Sequence, residues 1–147
     1  MSIAVKTIGF TKTTAEHFFN RLNKAEIRRL VDVRLNNTSQ LAGFAKASDL
    51  KFFLKEICNA DYVHEPILAP TEDIFKKFKK EKGEWSEFRR GFLDLMENRK
   101  VESQISKELI DQSCLLCSEA EPHHCHRTLV CEYLNGKWGS ALEVRHL

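Results

Sequence analysis

A chain of 147 residues, 42% hydrophobic and 30% charged, suits one folded domain with a sizeable core and excludes a disordered or low-complexity polymer. Its net charge of +2 is too small to argue for nucleic acid by itself. No stretch approaches membrane-spanning length, and the amino terminus, Met-Ser-Ile-Ala-Val-Lys, lacks the apolar run of an export signal, so a cytoplasmic protein with no membrane partner is expected.

Taken in chain order, the sequence alternates strand and helix signals. Ile3 to Phe10 is a β-rich run. Thr13-Thr-Ala-Glu16 has the form of a capping box, opening a helix whose Phe18, Phe19, Leu22 and Ile27 face inward. Arg29 to Arg34 reads as a second strand with Leu30, Val31 and Val33 buried, while Asp32 and Arg34, two apart near its carboxyl end, point to the same side. A polar loop with a single glycine runs from Leu35 to Lys46. Leu50, Phe53, Leu54, Ile57 and Cys58 then form the apolar stripe of an amphipathic helix.

Asp61 to Pro66 reads as a third strand, and Leu68-Ala-Pro-Thr71 as a turn. From Glu72 to Gln112 the pattern is helical and strongly charged, with breaks at Gly83 and between Asn98 and Val101. Leu115 and Leu116, flanked by Cys114 and Cys117, mark a short buried strand, and Cys125 to Leu134 the helix after it. Ala141 to His146 makes a last strand beyond the Gly136-Lys-Trp-Gly139 turn. Strands separated by helical stretches predict an α/β fold: one three-layer domain over residues 1–147, with a mostly parallel sheet and helices on both faces.

The stretch from Cys114 to Arg127 gathers nearly all the reactive side chains. It spans the end of a strand, a loop and the start of a helix, which is where open α/β sheets bind ligands. Five cysteines, an odd number, without an export signal argue for reduced thiols in core, metal or catalytic roles. Cys125, at a helix amino terminus beside His126 and Arg127, is the expected nucleophile, because the dipole and a nearby cation lower a thiol pKa. Cys117 is its expected resolving partner, and Glu119 and His126 are the acid-base candidates. Arg34 and Arg127 are expected to converge on a phosphate or carboxylate, with Asp32 orienting one guanidinium, which would suit a nucleotide or phosphorylated metabolite.

Zinc is the alternative, through Cys117, Cys125 and one or two of His123, His124 and His126. Spacing counts against it, since Cys114 and Cys117 on a strand face opposite sides, and no metal or cofactor is assigned. A phosphatase-type thiolate loop fails too, because six residues beyond Cys125 stands Cys131 and not an arginine. Buried cysteines are commonly small hydrophobes, and Asp-x-Arg pairs are commonly structural salt bridges. Cys58, Cys114 and Cys131 are accordingly assigned to the core, and His17 and His146 to the surface.

A second partner class is nucleic acid. Lys76, Lys77, Lys79, Lys80, Lys82, Arg89, Arg90, Arg99 and Lys100 are interleaved with Phe75, Phe78, Trp85, Phe88 and Phe92, a pattern that would serve phosphate contact and base stacking. The helical spacing of the aromatics and the interspersed acids favour a solvated helix face over a core.

Several of these motifs carry a resemblance. Thr7-Ile-Gly9, Leu30-Val-Asp-Val-Arg34 with Ser39 and Phe44 beyond it, Tyr62-x-His64, and Leu115-Leu-Cys-x-Glu119 through Cys125-His-Arg127 together resemble domain-of-unknown-function family 488, an uncharacterised α/β group. The resemblance spans nearly the whole chain. It implies that Asp32, Arg34, Cys117, Glu119, Cys125, His126 and Arg127 form one site, with Ser39 and His64 beside its substrate-binding residues. The chain departs from the commoner pattern at Leu68-Ala-Pro-Thr71, where many members resemble Leu-Gly-Gly, and at Leu35-Asn-Asn37, where a proline-containing loop is usual.

Overall fold

The structure is a computed structural model and describes residues 2–38, 43–79, 83–119 and 125–147. The first strand, β1 (Ile3–Gly9), leads into α1 (Ala15–Lys24). The helix starts one residue later than the capping-box pattern places it: Thr14, not Thr13, is extended and accepts the His17 N–H at 3.1 Å. Phe18, Phe19 and Leu22 are buried, as is Ile27, which lies beyond the helix end.

β2 (Arg29–Asp32) follows, then α2 (Ala47–Phe53), which widens into a single π turn over Leu54–Cys58. That extra residue per turn rotates the later apolar positions off the stripe expected for a regular helix. Leu50 and Leu54 are fully buried, whereas Ile57 is exposed. β3 (Asp61–His64) precedes a 3-10 turn at Pro66–Leu68.

The charged helical stretch divides into α3 (Glu72–Lys79), α4 (Trp85–Arg99), α5 (Val101–Gln104) and α6 (Lys107–Ile110). Lys100, left-handed at φ 53°, makes the break between α4 and α5. β4 (Ser113–Cys117), α7 (His126–Lys137) and β5 (Leu142–His146) complete the chain. Gly136, expected in a turn, lies inside α7, and the reversal falls at Gly139, φ 64°.

The five strands form one sheet in the order β3-β2-β4-β1-β5, and every pair is parallel. β4 lies at the centre and is buried along its length, which accounts for its unbroken Cys-Leu-Leu-Cys run. The register brings Gly9 opposite Cys117, and Asp32 opposite both Leu116 and His64. The carboxyl ends of four strands therefore meet at one edge.

Two cores sandwich the sheet. On one face Phe18, Phe19 and Leu22 of α1 and Leu50 of α2 pack on Ile8, Leu30 and Leu116. On the other, Phe88, Phe92 and Met96 of α4 and Leu129, Val130 and Leu134 of α7 pack on Val5, Val31 and Leu115. Burying each of these larger side chains is worth about 1.5–3 kcal/mol. The chain leaves β1 and β2 toward the first face and β4 toward the second. At such a divergence open α/β sheets bind ligands.

No helix among the described residues is long and apolar enough to cross a membrane.

Candidate functional site

Among the described residues, two clusters of polar and reactive side chains occupy the carboxyl edge, one built on β2 and one joining β4 to α7. The first is built on β2. Arg34 turns back on Asp32 in a bidentate pair, Nε to Oδ1 at 2.8 Å and Nη2 to Oδ2 at 2.7 Å. Both residues are buried, and Nη2 also donates to the Ala45 carbonyl at 2.7 Å. The guanidinium lies over the Phe10 ring, 5.2 Å from its centroid. The Tyr62 hydroxyl donates to Asp32 Oδ2 at 2.6 Å and accepts from Asn37 Nδ2 at 3.0 Å. His64 donates through Nε2 to the Arg34 carbonyl at 2.9 Å.

Burial, with the neighbouring Asp32 carboxylate, pushes the Tyr62 phenol up to about 12. Its neutral form is thus favoured by folding. That contribution is complete below pH 10, where an ordinary phenol is still protonated, and is lost as pH rises through about 12. In Tyr62→Phe, the part of the alkaline loss of stability that comes from this phenol should disappear. Matched urea titrations of both proteins between pH 8 and about pH 11 would detect it, and parallel curves would contradict the assignment.

The second cluster joins β4 to α7. Cys117 ends the strand, Cys125 is the N-cap of the helix, and His126 and Arg127 are its first two residues. All four are buried. His126 Nδ1 stands 3.4 Å from Cys117 Sγ, and its Nε2 is 2.6 Å from the Val33 carbonyl. A carbonyl only accepts, so Nε2 carries the proton and Nδ1 turns its lone pair toward the sulfur. The ring also packs against Phe92, 5.5 Å between centroids. Arg127 Nη1 donates to the Glu119 carbonyl at 2.5 Å and to Cys125 Sγ at 3.6 Å.

Glycine 9 makes this packing feasible. A Cβ there would lie 1.5 Å from the Glu119 carbonyl oxygen and 3.0 Å from Arg127 Nη1. The turn after β4 therefore rests directly on the backbone of β1, with Phe10 N and Thr11 N donating to the Ser118 carbonyl at 3.3 and 3.1 Å.

The two thiols are both buried and differ in electrostatic surroundings. Burial dominates at Cys125 and raises its pKa, and its S–H donates to Cys117. Cys117 is buried as well, but the Cys125 hydrogen bond, the Arg127 charge and the backbone N–H groups of Glu119 and Ser118 together outweigh burial and lower its pKa. Burial lowers the His126 pKa and keeps the ring neutral. Cys131 is pushed up to about 12 by burial, Cys114 is raised further for the same reason, and both belong to the core, as expected.

The remaining expectations fall out unevenly. Arg34 holds Asp32 and the Ala45 carbonyl, whereas Arg127, from α7, holds the Glu119 carbonyl and Cys125 Sγ. They are linked through Val33, whose carbonyl holds His126 between its neighbours Asp32 and Arg34. Glu119 contributes its carbonyl to Arg127 and stands half-buried at the mouth. Ser39, His123, His124, Lys80 and Lys82 lie outside the described residues. In the basic-aromatic stretch, Phe78, Trp85, Phe88 and Phe92 stack on one another. Of those five aromatics Phe75 alone is exposed, which leaves little for base stacking.

Gly9, Asn37 and Tyr62 were not among the expected site residues. Tyr62 and Gly9 stood out only within the motifs Tyr62-x-His64 and Thr7-Ile-Gly9 that carry the resemblance.

A family model described as Domain of unknown function DUF488 matches residues 14–134. No curated protein and no solved structure matches the chain.

Proposed function

The chain belongs to the DUF488 family, and from its geometry we propose that it is an enzyme acting on a small anionic substrate, with Cys117 as a thiolate nucleophile and His126 as its base. The observation that carries this reading is the fixed imidazole: Nε2 is held by Val33 and Nδ1 faces Cys117 Sγ at 3.4 Å. This is the arrangement of a nucleophile, a base and a third group that orients the base.

In the reaction, Nδ1 takes the Cys117 proton as sulfur bonds to an electrophilic centre of the substrate. The leaving group departs with its electron pair and receives that proton from the imidazolium. Water, deprotonated at Nδ1, then displaces the enzyme sulfur and regenerates the thiol. Cys125 donates its S–H to the Cys117 sulfur as negative charge develops on it, in the attack and again as it is displaced. Arg127, with its charge beside the start of α7, favours substrates bearing phosphate or carboxylate, nucleotides among them. The five cysteines are free, which fits a reducing, cytoplasmic setting.

Site-resolved alkylation with iodoacetamide, followed by turnover screens on phosphate- and carboxylate-bearing compounds, tests the proposal. Cys117 should label faster than Cys114, Cys125 and Cys131, and His126→Gln should slow it about 100-fold, the low end of what a positioned base contributes. Labelling of Cys117 no faster than Cys114, unchanged by His126→Gln, would leave the cluster a structural one.

A further inference from the structure

We propose that Cys117, Cys125 and His126 also form a binding site for a thiophilic divalent cation, with zinc as its natural occupant. This goes beyond the thiol chemistry above and does not depend on it. The metal-free form would present the reactive sulfur, and the loaded form would hold it as a ligand.

Three features of the cluster support the assignment. The donor atoms Sγ, Sγ and Nδ1 all lie within 4.8 Å of one another, on buried residues. Zinc bonds of about 2.3 Å to sulfur and about 2.0–2.1 Å to nitrogen place tetrahedral neighbours roughly 3.5–3.8 Å apart. The Cys117–His126 pair, at 3.4 Å, is already close to that spacing, and small side-chain rotations bring Cys125 to it.

The imidazole is also prepared for a metal. Its Nε2–H is bound to the Val33 carbonyl at 2.6 Å, the outer-shell contact that metal-ligating histidines generally make, and the lone pair that remains is the one aimed at the sulfurs.

Charge supplies the third argument. Two thiolates in a buried space repel each other, and a divalent cation between them leaves a neutral metal–S₂N group, with the Arg127 guanidinium donating to Cys125 Sγ at 3.6 Å as a further N–H to sulfur contact. Soft sulfur donors select zinc and exclude magnesium and calcium. Two cysteines and one histidine are also a ligand set that catalytic zinc sites use, with the fourth position left to water or an anion.

The test uses the full chain, reduced and stripped by chelator, titrated with zinc against a chromophoric chelator and separately with cobalt(II). One equivalent of zinc should bind, and cobalt should give thiolate charge-transfer absorption and tetrahedral visible bands. Cys117→Ser, Cys125→Ser and His126→Gln should each weaken binding by more than about 100-fold, the upper range for losing even an outer-shell partner. Cys131→Ser should leave it unchanged. In the unmutated protein, where folding is not in question, zinc should protect Cys117 and Cys125 from alkylation while Cys58 continues to label.

Failure of the reduced protein to retain zinc, or retention undiminished in the Cys117→Ser/Cys125→Ser double variant, overturns the proposal. The two readings separate cleanly. Stoichiometric zinc with an unreactive Cys117 in the stripped protein removes the nucleophile and leaves the metal site. Fast labelling without zinc binding does the reverse.

Discussion

Asp32→Ala is expected to cost about 3–5 kcal/mol of stability, the range for removing one partner of a buried ion pair. The substitution leaves Arg34 buried, bonded to the Ala45 carbonyl and lying over Phe10, but without its counter-charge. It also takes the acceptor from the Tyr62 hydroxyl. Urea unfolding of the single and double variants separates the causes. Asp32→Ala/Arg34→Met should recover much of the loss, since removing both charges removes the desolvated orphan. A single-variant cost below about 1 kcal/mol, the value of an exposed pair, would mean that water reaches this cluster and that Arg34 is available to a ligand.

Gly9→Ala is expected to lower stability by about 1–3 kcal/mol, the range for forcing extra volume into a packed site. Its larger effect should fall on the cluster around Cys117. The added Cβ would meet the Glu119 carbonyl carbon at 2.5 Å and its oxygen at 1.5 Å, so the turn must lift from β1. That would break the Arg127–Glu119 contact and the Ser118 hydrogen bonds, and would carry away the backbone N–H groups that favour the Cys117 thiolate. Alkylation of Cys117 and zinc retention should both change markedly. Gly43→Ala is the control, since its Cβ would meet no heavy atom within 4 Å among the described residues beyond its chain neighbours, and it should stay within about 0.5 kcal/mol. Equal behaviour of the two variants would show that the turn does not depend on close contact with β1.

Much of the fold was legible because local patterns and tertiary demands agree. The alternation in Arg29 to Arg34 placed Asp32 and Arg34 on one side, and the structure joins them as a bidentate pair. The apolar run at Leu115 and Leu116 identified a strand covered on both faces. A parallel sheet followed from helices between strands, and all five strands are parallel.

The site was less legible, for physical reasons. Its components were recognised, but strand order decides which side chains share a face, and no local pattern encodes strand order. Arg34 and Arg127, read as one anion clamp, are held by different partners, Asp32 and Ala45 for one and Glu119 and Cys125 for the other. Cys125 has every local feature of an activated thiol, yet burial among residues distant in sequence raises its pKa, which no local pattern encodes. The contact between Gly9 and Glu119 spans more than a hundred residues and leaves only a glycine as its trace. The π turn at Leu54–Cys58 is another such case, since the same apolar positions would serve a regular helix.

The central position of β4 also governs the order in which the molecule can be assembled. During synthesis β1, β2 and β3 emerge first, but β1 and β2 have no hydrogen bonds to each other, because the strand between them comes near the end of the chain. Until residues 113–117 leave the ribosome, the sheet exists only as a β2–β3 pair and an isolated β1, with apolar faces awaiting a partner. Long-range closure of this kind is slow. The segment that carries the candidate chemistry is therefore also the one that joins the two halves of the sheet, so a nascent chain stalled before β4 lacks both the site and the means to hold its strands together.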